Sequence, residues 1–109
     1  EMVELLKLVS KNYENICLTN NFKDVTNGEL DTIYNNFTYI FESSKLNMRK
    51  PEKKIYKHVL NKLDTQANRI LYIDDLGINL KPAREIGFLT YKFVDNKTTI
   101  KFVKNILRL

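Results

Sequence analysis

The sequence predicts an α/β protein in which a parallel sheet carries helices on both faces, as in three-layer Rossmann-like folds. Short apolar runs typical of buried strands alternate along the chain with longer amphipathic segments of helical periodicity. Parallel strands need a crossover connection, usually a helix, so this alternation favours a parallel sheet. The 109 residues contain no repeat and no linker. We therefore expect residues 1–109 to form one domain around one core.

The first third of the chain is expected to contain a helix, a strand, a loop and a second helix, over residues 2–11, 15–20, 22–28 and 29–37. Thr19 and Asn20 end the strand. In open α/β sheets ligands gather at the carboxyl ends of strands, where a hydroxyl and an amide can bind them. Asn and Thr are also common turn formers. The strand end by itself therefore leaves a ligand site and a simple turn both open.

In the middle of the chain we expect a strand over residues 38–42, a polar connector over 45–49 and a long helix that ends at Leu63. Pro51 suits the first turn of that helix, where its missing N–H does no harm. Lys50 would then lie at a helix N-terminus, where amide groups and positive potential favour an anion. A solvated surface lysine is the ordinary alternative for any single Lys.

The stretch that follows carries the clearest chemistry in the sequence. An apolar run over residues 70–73 is too short for a helix and predicts a buried strand, which stops at Asp74 and Asp75. Two adjacent carboxylates repel each other unless a proton or a cation offsets their charge. A hard divalent cation together with a phosphate group is the natural partner for such a pair.

A helix is predicted after the acids, with Asn79 as its N-cap, Pro82 in its first turn and Gly87 at its end. The chain then closes with a strand over residues 89–94, a turn or cap at Asp95 and Asn96, and an amphipathic helix over residues 97–109.

Composition excludes several other classes of protein. The chain has no run of eighteen apolar residues, so we expect no membrane span, and its start is unlike a secretory leader. Cys17 is its only cysteine, which rules out an internal disulfide and suits a reducing, cytoplasmic location. The net charge of +5 leaves nucleic-acid binding as a remote alternative, since no nucleic-acid-binding motif accompanies it.

Taken together, these segments resemble the haloacid dehalogenase (HAD) superfamily, in the branch that contains the N-terminal phosphatase domain of soluble epoxide hydrolase. The resemblance covers essentially the whole chain. It is carried by Leu-Thr-Asn-Asn at residues 18–21, Phe-Glu-Ser-Ser at 41–44, Arg-Lys-Pro-Glu-Lys-Lys-Ile-Tyr at 49–56, and Ile-Asp-Asp-Leu-Gly-Ile-Asn-Leu-Lys-Pro-Ala-Arg at 73–84.

The resemblance implies a role for each site residue. Thr19 is similar to the family's hydroxyl that binds the transferring phosphoryl group, with Asn20 beside it, and Lys50 is similar to the lysine that neutralises the phosphate and the nucleophile. Asp75 looks like the main Mg²⁺ carboxylate, and Asp74 would support it. One further residue, Asn79, stands where many relatives carry a second acid.

One motif of the family is absent from these residues. Active members begin with Asp-x-Asp, whose first Asp attacks phosphorus, and the 109 residues contain no such triplet. The resemblance therefore implies the C-terminal half of a phosphohydrolase fold, without the first strand and the cap, and inactive alone towards a phosphorylated small molecule. A missing N-terminal segment or a second copy would complete the sheet. A pseudoenzyme or a module that binds phosphorylated ligands or proteins is the alternative.

Overall fold

The computed structural model describes residues 2–20 and 35–109, which belong to two compact units. The first unit is Glu1–Lys45 with Asp95–Leu109, and the second is Leu46–Val94. In chain order the elements are α1 Met2–Val9, β1 Ile16–Thr19, β2 Tyr39–Glu42, α2 Ser43–Leu46, α3 Lys53–Leu63, a 3₁₀ turn at Ala67–Arg69, β3 Leu71–Asp74, α4 Gly77–Ile86, β4 Leu89–Lys92 and α5 Asn96–Leu107.

The first unit contains two paired parallel strands and two helices that pack against each other. Strand β1 pairs with β2, with Thr19 opposite Glu42 at their carboxyl ends. Helix α1 packs against α5, and each buries one apolar stripe, as its helical spacing predicts. Among the described residues, the buried side chains of this unit are Leu5, Val9, Asn15, Phe41, Thr99 and Val103.

In the second unit two helices cover a second pair of parallel strands. Strand β3 pairs with β4 in a register that sets Asp74 opposite Lys92, and α4 contacts both strands as well as α3. The side chains that form its core are Ile55, Tyr56, Val59, Leu80, Ala83 and Phe88. The α/β class with parallel strands is therefore confirmed, whereas the assignment of residues 1–109 to one domain stays a prediction.

Two helix ends lie at the residues that were predicted from the sequence, Gly87 and Asp95. Gly87 ends α4 in the left-handed conformation, with φ of 118°, which costs little only for a residue without a Cβ. Asp95 caps α5, because its side-chain oxygen accepts a hydrogen bond of 2.7 Å from the amide of Thr98.

The start of α3 is a correction. The helix begins at Lys53, with Glu52 in an extended conformation at its N-cap, so Lys50 does not lie at a helix N-terminus and Pro51 is not in the first helical turn. The residue before a proline is disfavoured in the helical region. The Glu52 carboxylate also accepts a hydrogen bond from the Arg49 amide, at 2.9 Å, which stabilises a turn at this point.

The start of α4 is a second correction. The helix begins at Gly77, and Leu76 is its N-cap. Asn79 is therefore inside the first turn, and Pro82 is inside the helix. The Asp74 carboxylate accepts a hydrogen bond of 2.9 Å from the amide of Leu76. This contact stabilises the turn after β3, from which the helix starts two residues before Asn79.

Other boundaries of the described elements differ by at most two residues, which is usual for element ends. The short helix α2 overlaps the start of the connector that was expected over residues 45–49. The predicted loop over residues 22–28 and most of the predicted helix over 29–37 lie outside the described residues. No helix within the described ranges combines the length and the apolar character needed to cross a membrane.

Candidate functional site

The candidate site lies at the carboxyl end of β3, where Asp74 is the last strand residue. Its neighbour two positions earlier, Tyr72, points to the same face of the strand because side chains alternate along β-structure. The Tyr72 hydroxyl donates a hydrogen bond of 2.6 Å to Asp74 Oδ2. Asp74 is only 9% exposed, so the structure buries a carboxylate that needs compensation.

Four donors compensate the Asp74 carboxylate. Oδ1 accepts from the Leu76 amide at 2.9 Å, and Oδ2 accepts from Tyr72. Oδ2 also accepts from Lys50 Nζ at 3.1 Å and from Asn79 Nδ2 at 3.2 Å. The Lys50 side chain is itself only 13% exposed. Three residues that the sequence singled out, Lys50, Asp74 and Asn79, therefore form one partly buried polar cluster.

These contacts keep Asp74 ionised. Burial raises the pKa of its carboxyl, but the hydrogen bonds from Tyr72, Leu76 and Lys50, with the Lys50 charge, outweigh burial and lower it to about 2. The same arrangement raises the pKa of Tyr72, first through burial and then through its hydrogen bond to Asp74. At neutral pH the cluster therefore holds the Asp74 carboxylate and the neutral phenol of Tyr72.

Asp75 has a different environment, although it is the next residue. Its side chain is exposed, whereas that of Asp74 is buried. Asp74 is saturated by its four donors, so Asp75 is the acid of the pair that can meet a ligand from solution. Of the two acids at this strand end, Asp74 is buried and hydrogen-bonded within the protein, and Asp75 is exposed to solvent.

The described residues do not by themselves make a complete Mg²⁺ site. Within residues 2–20 and 35–109, no group of three or more His, Cys, Asp or Glu side chains is placed to hold a metal ion. Mg²⁺ requires an octahedral oxygen shell. Asp75 would supply one oxygen ligand of that shell, and the others would have to come from water, phosphate or another segment.

Thr19 and Asn20 belong to the first unit. Thr19 is the last residue of β1, and Asn20 follows it; both side chains are half-buried. The hydroxyl and the amide therefore lie at the carboxyl end of a parallel strand, as expected, and their phosphate-binding role stays a prediction.

Sequence reasoning missed Tyr72. Its hydroxyl makes the shortest of the four contacts to Asp74. The available signal was its place two residues before Asp74 on the same strand, which sets both side chains on one face. The Leu76 amide was also missed, and only the backbone geometry of the turn could show it.

The fold is shared with solved HAD-like structures. A protein from Porphyromonas gingivalis described as a predicted HAD-like family hydrolase matches with a TM-score of 0.87 at 20% identity, over 99% of this chain and 57% of that one. A HAD family enzyme from Bacteroides thetaiotaomicron, in complex with magnesium and inorganic phosphate, matches with a TM-score of 0.76 at 22% identity, over 91% of this chain and 55% of that one. The α/β structure is therefore a HAD-type fold.

The sequence comparison adds the family itself. Residues 1–92 match the model of the haloacid dehalogenase-like hydrolase family. This chain belongs to that family. Bifunctional epoxide hydrolase 2 of Rattus norvegicus is 30% identical over 105 residues, which are 91% of this chain and 19% of that protein. The chain thus spans about a fifth of that relative, and the resemblance to the HAD superfamily is confirmed.

Proposed function

We propose that this chain supplies the lysine-and-acid half of a phosphohydrolase site. The observation that carries the proposal is the buried contact of 3.1 Å between Lys50 Nζ and Asp74 Oδ2 at the end of β3, in a chain of the HAD-like hydrolase family. Asp74 holds the ammonium group in place, and Lys50 binds the phosphoryl group of a phosphorylated small molecule. The solved Bacteroides thetaiotaomicron relative, which contains magnesium and inorganic phosphate, supports phosphate as the ligand.

The proposal gives Asp75 the metal side of the site. An exposed carboxylate next to a phosphate-binding lysine is suited to Mg²⁺, which commonly binds through one or two carboxylates together with substrate phosphate. We expect Mg²⁺ to bind weakly without phosphate, because Asp75 is the single open acid at this strand end. Thr19 and Asn20 retain the phosphate-binding roles that the family resemblance implies.

The nucleophile has to come from outside these residues. No Asp-x-Asp triplet occurs in the 109 residues, and Asp74 is committed to Lys50. We propose that a segment of the same protein outside these residues carries this triplet and adds a strand to β3. A second copy of these 109 residues could add a strand but not the triplet. In the described part of the chain β3 pairs with β4 alone, and such two-stranded sheets gain stability from a third strand.

Phosphate binding tests the role of Lys50. We expect Lys50→Gln to weaken the affinity for inorganic phosphate at least about tenfold, because a charge-assisted hydrogen bond is worth about 1.5–3 kcal/mol. Gln removes the charge and keeps an N–H donor, on a side chain that is one bond shorter. Calorimetric titration of inorganic phosphate into the chain, with Mg²⁺ present, measures the change.

The matched control is Lys53→Gln. Lys53 is 54% exposed and pairs on the surface with Glu85 at 3.3 Å, so its loss should change phosphate affinity less than about twofold. Equal effects of the two substitutions would show that phosphate meets only the general positive charge of the chain, and would contradict the proposal.

A hydrolysis assay tests the proposal that these residues contain no nucleophile. We expect the 109-residue chain with Mg²⁺ to hydrolyse no p-nitrophenyl phosphate, because covalent phosphoryl transfer needs a carboxylate in line with phosphorus. The release of p-nitrophenol is followed by absorbance, with Asp75→Asn as the control for contaminating phosphatase. Hydrolysis that Asp75→Asn abolishes would contradict this expectation, whereas phosphate binding without hydrolysis agrees with it.

A further inference from the structure

Membership of the family does not explain why the Tyr72 hydroxyl lies against the Asp74 carboxylate. We propose that Tyr72 is a positioning residue for Lys50: by occupying Asp74 Oδ2, it limits how closely the carboxylate holds the lysine and so keeps the ammonium group available to phosphate. This inference rests on the proposed function, in which Lys50 binds phosphate.

The distances indicate competition for one oxygen atom. Asp74 Oδ2 accepts from Tyr72 at 2.6 Å, from Lys50 at 3.1 Å and from Asn79 at 3.2 Å. Charge-assisted hydrogen bonds from nitrogen to a carboxylate are usually about 2.7–2.9 Å long, and those from a hydroxyl about 2.5–2.7 Å. The hydroxyl contact therefore has its ideal length, whereas the ammonium contact is longer than usual. Tyr72 therefore makes the shorter hydrogen bond to Oδ2, and Lys50 makes a longer and weaker one.

Packing fixes the phenol where this competition occurs. The Tyr72 ring makes edge-to-face contacts with Tyr56 and Phe88, at centroid distances of 5.7 and 6.3 Å. Both neighbours belong to the core, with Tyr56 fully buried and Phe88 only 5% exposed. Such aromatic contacts hold a ring in one orientation. The ring fills the packing position that a phenylalanine would fill, so the hydroxyl is the part of the side chain that acts on Asp74.

Removal of the hydroxyl should draw Lys50 towards the carboxylate. In Tyr72→Phe the best position at Oδ2 becomes vacant, and the attraction between the ammonium group and the carboxylate increases as the two approach. A lysine held more tightly by its internal partner binds an external anion less well. Loss of the tyrosine hydroxyl therefore weakens phosphate binding, although this hydroxyl does not itself touch phosphate.

The experiment compares Tyr72→Phe with Tyr56→Phe in the 109-residue chain. Each substitution removes one hydroxyl from the same aromatic cluster, but the Tyr56 hydroxyl donates to the backbone oxygen of Asn79, at 2.7 Å, and not to the carboxylate. Both variants should lose some stability, because each removes a hydrogen bond from the interior. Only Tyr72→Phe should weaken the affinity for inorganic phosphate, by about threefold to tenfold in calorimetry. Unchanged or tighter phosphate binding by Tyr72→Phe would overturn the inference.

A second measurement does not need phosphate. In ¹H–¹⁵N spectra the Lys50 side-chain ammonium signal should shift in Tyr72→Phe and shift clearly less in Tyr56→Phe, whose hydroxyl does not touch the carboxylate. Failure of the unaltered chain to bind phosphate would overturn the proposed function. A Lys50 signal that does not respond to Tyr72→Phe would overturn the positioning role by itself, so the two failures are distinguishable.

Discussion

Replacement of Asp74 by asparagine is expected to lower the free energy of unfolding by about 3–5 kcal/mol, the usual cost when one partner of a buried ion pair is removed. The substitution leaves Lys50, which is 13% exposed, without its carboxylate. It also brings a new N–H₂ donor among four existing donors, so the local hydrogen bonds cannot all be kept. Urea denaturation followed by circular dichroism at neutral pH measures the loss.

The neighbouring acid provides the control. Asp75→Asn makes the same chemical change one residue further along, at an exposed side chain. Its effect on unfolding should stay below about 1 kcal/mol, the range of a surface charge near a helix N-terminus. Similar losses for both variants would show that the buried contact between Asp74 and Lys50 does not stabilise the fold.

Acid is expected to weaken the fold by about 2 kcal/mol through Asp74. Its pKa is lowered from 3.8 to about 2 in the folded chain, and each pKa unit corresponds to about 1.4 kcal/mol. Because the unfolded carboxyl binds a proton at a higher pH than the folded one, protons favour the unfolded state in this range. The contribution of Asp74 is thus fully present above about pH 5 and is lost as the pH falls towards 2.

The measurement compares the unaltered chain with Asp74→Asn between pH 5 and pH 2. Other acids titrate in both proteins, so the difference between their unfolding free energies isolates the contribution of Asp74. That difference should shrink by about 2 kcal/mol as the pH falls. It does not vanish, because a protonated carboxyl still accepts hydrogen bonds while the asparagine amide adds donors. A difference that is constant with pH would contradict the lowered pKa of Asp74.

Local chemistry made much of this protein predictable from its sequence. Alternating apolar runs and amphipathic segments determined the α/β class, because the periods of 2 and 3.6 residues follow from backbone geometry alone. Gly87 and Asp95 were correct as helix-end residues because a left-handed terminus and a side-chain cap each depend on one residue. The acids after an apolar run were enough to locate the candidate site at a strand end.

Only the tertiary structure decided which partners and which degree of burial each candidate site residue has. Adjacent residues of one acidic pair have opposite environments, since Asp74 ends a strand and turns inward while Asp75 begins the exposed turn. Lys50 is 24 positions from its partner, and no local rule pairs residues at that separation. Tyr72 acquired its role because packing against two core rings aims its hydroxyl at Asp74. The partners of a side chain depend on which helices and strands pack against each other. That packing is determined by all the core residues together, so no short stretch of sequence reveals it.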